Sequence, residues 1–179
     1  EWKYDGIRVQ AASQCGVRRI YTRTGDDISH TFPDVLAAMN FEGTLDGELL
    51  IRAADGTRVA PFNTLQQRLN RKTVSKRQMD PHPAFIRTYD LLYSGDKDIR
   101  PLSFRERRMA LEDFIHRADT PRFDLSPLVP VTSLARLDKV RMNPPAPEIE
   151  GLMLKRWDSP YLSGRVKGHW YKWKRDPYL

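Results

Sequence analysis

The fold class the sequence predicts is α+β, built mainly on antiparallel sheets. Segments with period-two alternation of apolar and polar residues outnumber those with helical spacing. Strands and helices do not alternate strictly, as a parallel sheet of βαβ units would require. Residues suited to tight turns also join successive strand candidates.

The elements follow in order. Residues 1–24 read as two strands: Ile7, Val9 and Ala11 alternate with Arg8 and Gln10, and Val17 to Arg23 follows a turn at Gln14-Cys15-Gly16. Pro33 opens a short helix over Pro33–Asn40, because proline fits the first helical position without losing a needed donor. Strands at 44–52 and 57–61 flank Asp55-Gly56, a pair that accepts the positive φ of a hairpin turn. Phe62, Leu65, Gln66 and Leu69 have helical spacing and lead into a basic segment, Arg68 to Arg77, expected to be mobile. A strand covers 84–93. Ser103-Phe104-Arg105-Glu106 is a capping box that starts a helix to about Arg117. Val129–Thr132 reads as a short strand and Ser133–Arg141 as a helix, which Asn143-Pro144-Pro145-Ala146-Pro147 cannot continue. Strands at 150–157 and 169–175 close the chain.

Composition narrows the function classes. The 179 residues suffice for one domain with a sizeable core, of ~100–200 residues. No run of about 18 apolar residues is present, which excludes a helical membrane span. The single cysteine, Cys15, cannot form an intrachain disulfide, and no Cys/His cluster has zinc-ligand spacing. Cys15 reads as an ordinary strand residue, and His30, His82, His116 and His169 as surface or capping residues. Thirty Lys and Arg against 23 Asp and Glu leave a charge of +7, which favours an acidic partner. The chain has no initiator Met and begins inside an apparent strand, so an excised fragment of a larger protein is expected.

Ionisable residues concentrate in a few strands. If Glu1-Trp2-Lys3-Tyr4-Asp5-Gly6-Ile7-Arg8 is extended, Glu1, Lys3 and Asp5 share one face. Asp46 and Glu48 stand opposite Leu45, Leu49 and Ile51, Glu150 opens a strand, and Lys172 and Lys174 share a face opposite Tyr171 and Trp173. Taken singly, each fits an ordinary half-exposed strand, and the N-terminal run fits a solvated hairpin.

Taken together and in order, they resemble a family. Lys3-Tyr4-Asp5-Gly6-Ile7-Arg8 resembles the nucleotidyl-lysine motif of the ATP-dependent DNA ligases, within the covalent nucleotidyltransferase superfamily. Thr22-Arg23-Thr24-Gly25, Asp46-Gly47-Glu48, Tyr89-Asp90-Leu91-Leu92-Tyr93, Glu150-Gly151-Leu152-Met153-Leu154-Lys155 and Trp170-Tyr171-Lys172-Trp173-Lys174 resemble its successive nucleotide-pocket motifs. The resemblance implies an adenylation (nucleotidyltransferase) domain over 1–179: two mainly antiparallel sheets flanked by helices, ATP-grasp-like, with the ATP pocket between the sheets. RNA ligases and capping guanylyltransferases share the superfamily, and a catalytically silent nucleic-acid-binding module of the same fold is the reading from another class.

The resemblance also assigns roles. Lys3 would attack the α-phosphorus of ATP and carry AMP, which requires a neutral amine although an unperturbed lysine titrates near ~10.4. Arg8, Lys155, Lys172 and Lys174 are the cations that would favour the neutral form and stabilise the phosphoryl centre, with Asp5 opposing them. Lys172 and Lys174 would be catalytic beside Lys3. Glu1 would lie near the adenine edge, Arg23 at the ribose or a nick phosphate, and Glu48 at the ribose hydroxyls or a metal. Glu150 would hold Mg²⁺, and Tyr89 would stack on adenine. The expected partner is nicked double-stranded DNA, gripped through Arg68, Arg71, Lys72, Lys76, Arg77, Arg165 and Lys167, with Phe62-Asn63-Thr64-Leu65-Gln66 resembling a ligase segment ahead of the first of these. The family's oligonucleotide-binding domain, with its Arg-x-Asp-Lys motif, is expected outside this chain. Arg136-Leu137-Asp138-Lys139 reads as a coincidental match in a helix. A monomer is expected, cytoplasmic in a bacterium or nuclear in a eukaryote.

Overall fold

Two sheets organise the chain in the computed structural model, which describes residues 1–71, 74–130, 133–164 and 166–175. The elements run β1 (Trp2–Tyr4), β2 (Ile7–Gln14), β3 (Val17–Thr22), α1 (Pro33–Ala37), β4 (Gly43–Ile51), α2 (Phe62–Leu69), α3 (Lys76–Met79), β5 (Ala84–Ser94), β6 (Lys97–Asp98), α4 (Phe104–Ala118), β7 (Phe123–Leu125), α5 (Leu134–Met142), β8 (Ile149–Lys155) and β9 (Trp170–Lys174). The large sheet has the order β3-β2-β4-β5-β6, with β7 also paired to β5, and the small sheet has the order β1-β8-β9. All pairings are antiparallel except β5 with β7.

Alternation on the large sheet decides what each face does. Val9, Ala11, Ile20, Leu45, Leu49, Ile86 and Leu91 are buried in one core with Phe32, Val35, Leu111 and Phe114 from the helical layer. Apart from the small Ala11, each such side chain contributes ~1.5–3 kcal/mol on leaving water. The other face carries Arg8, Glu48, Arg87 and Tyr89 toward the small sheet. Helix α4 is held on the core side by the expected capping box: Ser103 Oγ accepts from the Glu106 N–H (3.3 Å), and Glu106 Oε2 accepts from the Ser103 N–H (2.9 Å). Its Arg107 is fully buried and forks onto Asp90 of β5 at 2.8 and 2.9 Å.

Several expectations are corrected. The N-terminal strand is not continuous. It breaks at Asp5-Gly6, where the Asp5 N–H donates to Glu148 O (2.8 Å), so β1 joins the small sheet and β2 the large one. Glycine is required at the break, since a Cβ on Gly6 would lie 2.7 Å from both Leu49 O and Leu50 Cδ2. Cys15 sits in the β2–β3 turn rather than in a strand, with φ of +50°. Helix α1 stops at Ala37, short of Asn40. Asp55-Gly56 turns the chain as expected, but 57–61 forms only the single bridge Arg52–Val59 instead of a strand. There Asp55 Oδ1 accepts from the N–H groups of Thr57 and Arg58, which takes those donors out of any ladder. Val129 and Pro130 form no regular element, and Val131 and Thr132 lie outside the described residues. Strands β6 and β7 had no counterpart among the expected elements, being too short to show periodicity.

Arg68 is the plainest departure. It belongs to α2, is buried, and pairs through its guanidinium with Asp34, while its Nε donates to Thr31 O (3.2 Å) and its plane covers the Phe32 ring at 4.8 Å. A cation satisfied in this way ties α2 to α1 and is not available to a phosphate. Arg71, Lys76, Arg77 and Lys167 are exposed, whereas Lys72 and Arg165 lie outside the described residues. The Arg136 to Lys139 tetrapeptide lies in α5 with Leu137 buried and Asp138 bonded to Arg141 at 2.7 Å. Among the described residues no helix is long and apolar enough to cross a membrane.

Candidate active site

The crossing at Asp5-Gly6 leaves Lys3 on the small sheet and Arg8 on the large one, and both line a cavity of about 390 Å³ between the sheets. That volume is within the range of small-molecule sites, ~300–1,000 Å³. The small sheet contributes Lys3, Met153, Lys155, Trp170 and Lys172, and the large sheet Arg8, Thr22, Glu48, Arg87 and Tyr89.

At one end Lys3 Nζ is hydrogen-bonded to Glu150 Oε2, and Lys174 Nζ lies 3.4 Å from the same oxygen. Register explains the meeting, because Lys3 is opposite Gly151 and Gly151 is opposite Lys174. Gly151 allows the approach: its φ is +151°, and a Cβ there would lie 2.7 Å from Lys174 Cα. Burial works against Glu150 ionising, but the bond and charge of Lys3, with Lys174, hold its carboxyl below the usual range. Burial and the charge of Glu150 raise the neighbouring Asp5 instead. Lys172 and Arg23 are exposed at the rim.

Arg8 donates to Asp46 from Nε (3.2 Å) and Nη2 (2.6 Å), and Nη2 also reaches Tyr161 Oη (2.9 Å). Burial opposes the guanidinium charge, yet the bond to Asp46 prevails and keeps Arg8 ionised. Glu48 lies on the neighbouring strand with no hydrogen bond or ion pair among the described residues. Burial first, with Asp46 and Glu150 adding to it against Lys3 and Arg8, pushes its carboxyl up to about 7.

At the other end Lys155 is nearly enclosed. Its Nζ is 2.5 Å from Glu1 Oε2 and lies 4.6, 4.9 and 4.2 Å from the ring centres of Tyr89, Phe104 and Trp170. Such cation–π contacts are worth ~2 kcal/mol or more when desolvated. Glu1 also meets Arg108 of α4 at 3.3 Å. Burial, then the charges of Asp46 and Glu48, push the Tyr89 hydroxyl well above its ordinary pKa, so it stays a neutral group.

Thus Glu1, Lys3, Arg8, Arg23, Glu48, Tyr89, Lys155 and Lys172 all line the cavity, while Glu150 and Lys174 stand just outside the lining, with Glu150 bonded to Lys3. Arg87 was not among the expected site residues. It is two residues from Tyr89 in one strand, so period two alone would have put it on the same face. His30, His82 and His116 are exposed as expected, but His169 is half-buried and its Nδ1 has no partner among the described residues.

A family model described as the ATP dependent DNA ligase domain matches residues 1–174. The chain belongs to the ATP-dependent DNA ligase domain family. Among curated relatives of the family, a probable DNA ligase of Koribacter versatilis is 36% identical over 98% of this chain and 34% of its own length. A DNA ligase of Pyrobaculum arsenaticum is 30% identical over 98% of this chain and 30% of its own length. The chain therefore spans about a third of the length of these ligases. Solved ligase structures share the fold. The ligase domain of M. tuberculosis LigD superposes with a TM-score of 0.71 at 24% identity, over 95% of this chain and 52% of that one. Chlorella virus DNA ligase-adenylate gives 0.66 at 20% identity, over 97% and 60%.

Proposed function

We propose that this chain is the nucleotide-charging domain of an ATP-dependent DNA ligase and that Lys3 is its nucleophile. The reading rests above all on Lys3 standing at a cavity between the two sheets beside Glu150, with Arg8, Glu48, Tyr89 and Lys172 in the same lining. The Lys3 nitrogen attacks the α-phosphorus of ATP, the bond from that phosphorus to the bridging oxygen of pyrophosphate breaks, and the amine gives up a proton. AMP then passes to the 5′-phosphate of a DNA nick, and the 3′-hydroxyl displaces it. Tyr89 stacks on adenine and Glu48 holds the ribose. Lys172 and Lys174 neutralise the α-phosphate as charge builds on it.

Lys3 is hydrogen-bonded to Glu150, so attack requires its nitrogen to leave that contact. Glu150 suits Mg²⁺, which is bound through one or two carboxylates and fills its remaining positions with water and phosphate oxygens. Bound there, the ion would supply positive charge that competes with Lys3 for Glu150.

Nick sealing is work for the whole protein, with an oligonucleotide-binding domain beyond this third of its relatives' length and nicked duplex DNA as substrate. Incubation with α-labelled ATP and Mg²⁺, followed by denaturing electrophoresis, tests the reading. A label that survives denaturation and depends on Lys3 is expected. No label, or label from GTP in preference to ATP, would overturn it.

A further inference from the structure

Arg8, Glu48 and Arg87 form one row across three neighbouring strands. Arg8 of β2 is directly opposite Glu48 of β4, and Glu48 is directly opposite Arg87 of β5. Opposed residues of an antiparallel pair have Cβ atoms ~4.5–5.5 Å apart on one face, and all three side chains line the cavity.

A carboxylate between two arginines would ordinarily pair with both, and here it pairs with neither. Arg8 spends Nε and Nη2 on Asp46, at 3.2 and 2.6 Å. Arg87 likewise spends Nε and Nη2 on Asp124 of β7, at 3.0 and 2.9 Å, and its plane rests on the Tyr4 ring at 4.5 Å. Arg8 is held by a carboxylate two residues along Glu48's own strand, and Arg87 by one on the far side of β5. Nη1 of Arg8 and both oxygens of Glu48 remain without a hydrogen bond among the described residues, and Arg87 has only the Tyr4 side chain, on one side, to share its two Nη1 hydrogens with.

The unmet groups define a ligand. Two donors flank one acceptor pair, so the complement carries two adjacent groups that each donate to the carboxylate and accept from a guanidinium. A vicinal diol does both. A phosphate would satisfy the arginines but face an unpaired Glu48, and a metal would satisfy Glu48 but face the arginines.

We propose that Arg87 joins Arg8 and Glu48 as a substrate-contacting residue at the ribose diol, donating a hydrogen bond from Nη1 to one ribose hydroxyl oxygen whose own O–H donates to Glu48. The inference rests on the ligase reading and extends it to a residue outside the resembled motifs. Asp124, which orients the Arg87 fork, is its positioning residue.

The test measures labelling of Lys3 at increasing concentrations of ATP, 2′-deoxy-ATP and 3′-deoxy-ATP, in the unsubstituted protein and in Arg87→Met. Losing one charged hydrogen bond should raise the ATP concentration for half-maximal labelling about ten-fold, with the maximal rate unchanged. With the deoxy-nucleotide that lacks the contacted hydroxyl, the substitution should change that concentration less than about two-fold. Arg52, 3.7 Å from Asp124, leaves that carboxylate a cation when Arg87 is gone, and Arg87→Gln serves as a second variant should Arg87→Met not fold. A similar penalty on all three nucleotides, or none with ATP, would overturn the assignment. Absence of label in the unsubstituted protein would instead overturn the ligase reading itself.

Discussion

Replacing Glu48 by glutamine should stabilise the ATP-free protein in alkaline solution and leave it unchanged in acid. The carboxyl sits between β2 and β5 without a hydrogen-bond partner, and burial with the nearby charges of Asp46 and Glu150 outweighs Lys3 and Arg8 to raise it from 4.5 to about 7. For a raised acid the folded state binds the proton more tightly than the unfolded chain. The penalty is therefore absent below pH ~4.5, grows as pH rises, and is complete above pH ~7. At ~1.4 kcal/mol for each pH unit, the span from 4.5 to 7 caps the penalty at ~3 kcal/mol. Glu48 keeps some solvent contact, so ~2 kcal/mol is the working figure. Glutamine has nearly the same shape and no charge to desolvate. Urea unfolding of both proteins should show no difference at pH 4.5 and a gain of ~2 kcal/mol at pH 8.5, or ~4–8 °C in melting temperature. The same variant should bind ATP more weakly, since one of the two acceptor oxygens offered to the ribose becomes an NH2 donor and the charge is lost. A gain of equal size at both pH values, or no gain at pH 8.5, would refute the reasoning.

Three further outcomes are expected. Lys3→Ala should abolish covalent AMP transfer without unfolding the protein, and Lys3→Arg should fail as well because a guanidinium stays protonated; a normal yield of labelled adduct in either would move the nucleophile elsewhere. Tyr89→Ala should weaken ATP binding by ~1–3 kcal/mol relative to Tyr89→Phe in calorimetric titration, and equal affinities would remove the ring from the adenine. Arg68→Met should cost ~3–5 kcal/mol in denaturant unfolding by leaving Asp34 buried without its main partner, whereas Arg71→Gln should cost under ~0.5 kcal/mol, and the reverse ranking would return Arg68 to the surface.

What the sequence made legible follows from the range of the interactions involved. Period two, proline at a first helical position and a Ser-x-x-Glu box are local signals. They found β3, β4, β5, β8, β9 and α4 within a residue or two, because strand faces and caps are decided by neighbours in the chain. The motif residues were legible only as an ordered set, whose expected site residues line one cavity except Glu150 and Lys174 just outside it. The break at Asp5-Gly6 was not legible, because it depends on Leu49 and Leu50 pressing on Gly6 from a strand more than forty residues away. Arg68 escaped for the same reason: a run of basic residues looks uniformly solvated until Asp34 and Phe32 are folded against one of them.

Charge reads worst of all from sequence, since the same residue type does opposite work according to its partner. Four of the cations that line or adjoin the cavity show different degrees of commitment. Lys155 is closed in by Glu1 and three rings, Arg8 is forked onto Asp46, and Lys174 leans on Glu150 at the surface, while Lys172 is exposed at the rim. Mobility toward an incoming phosphate should fall in the reverse order, from Lys172 to Lys155. A cation already fixed by a buried carboxylate can shape a pocket, but following charge as it develops on phosphorus requires one that solvent still reaches. Under the function proposed above, that division gives the walls to Lys155 and Arg8 and the reaction to Lys172 and Lys174.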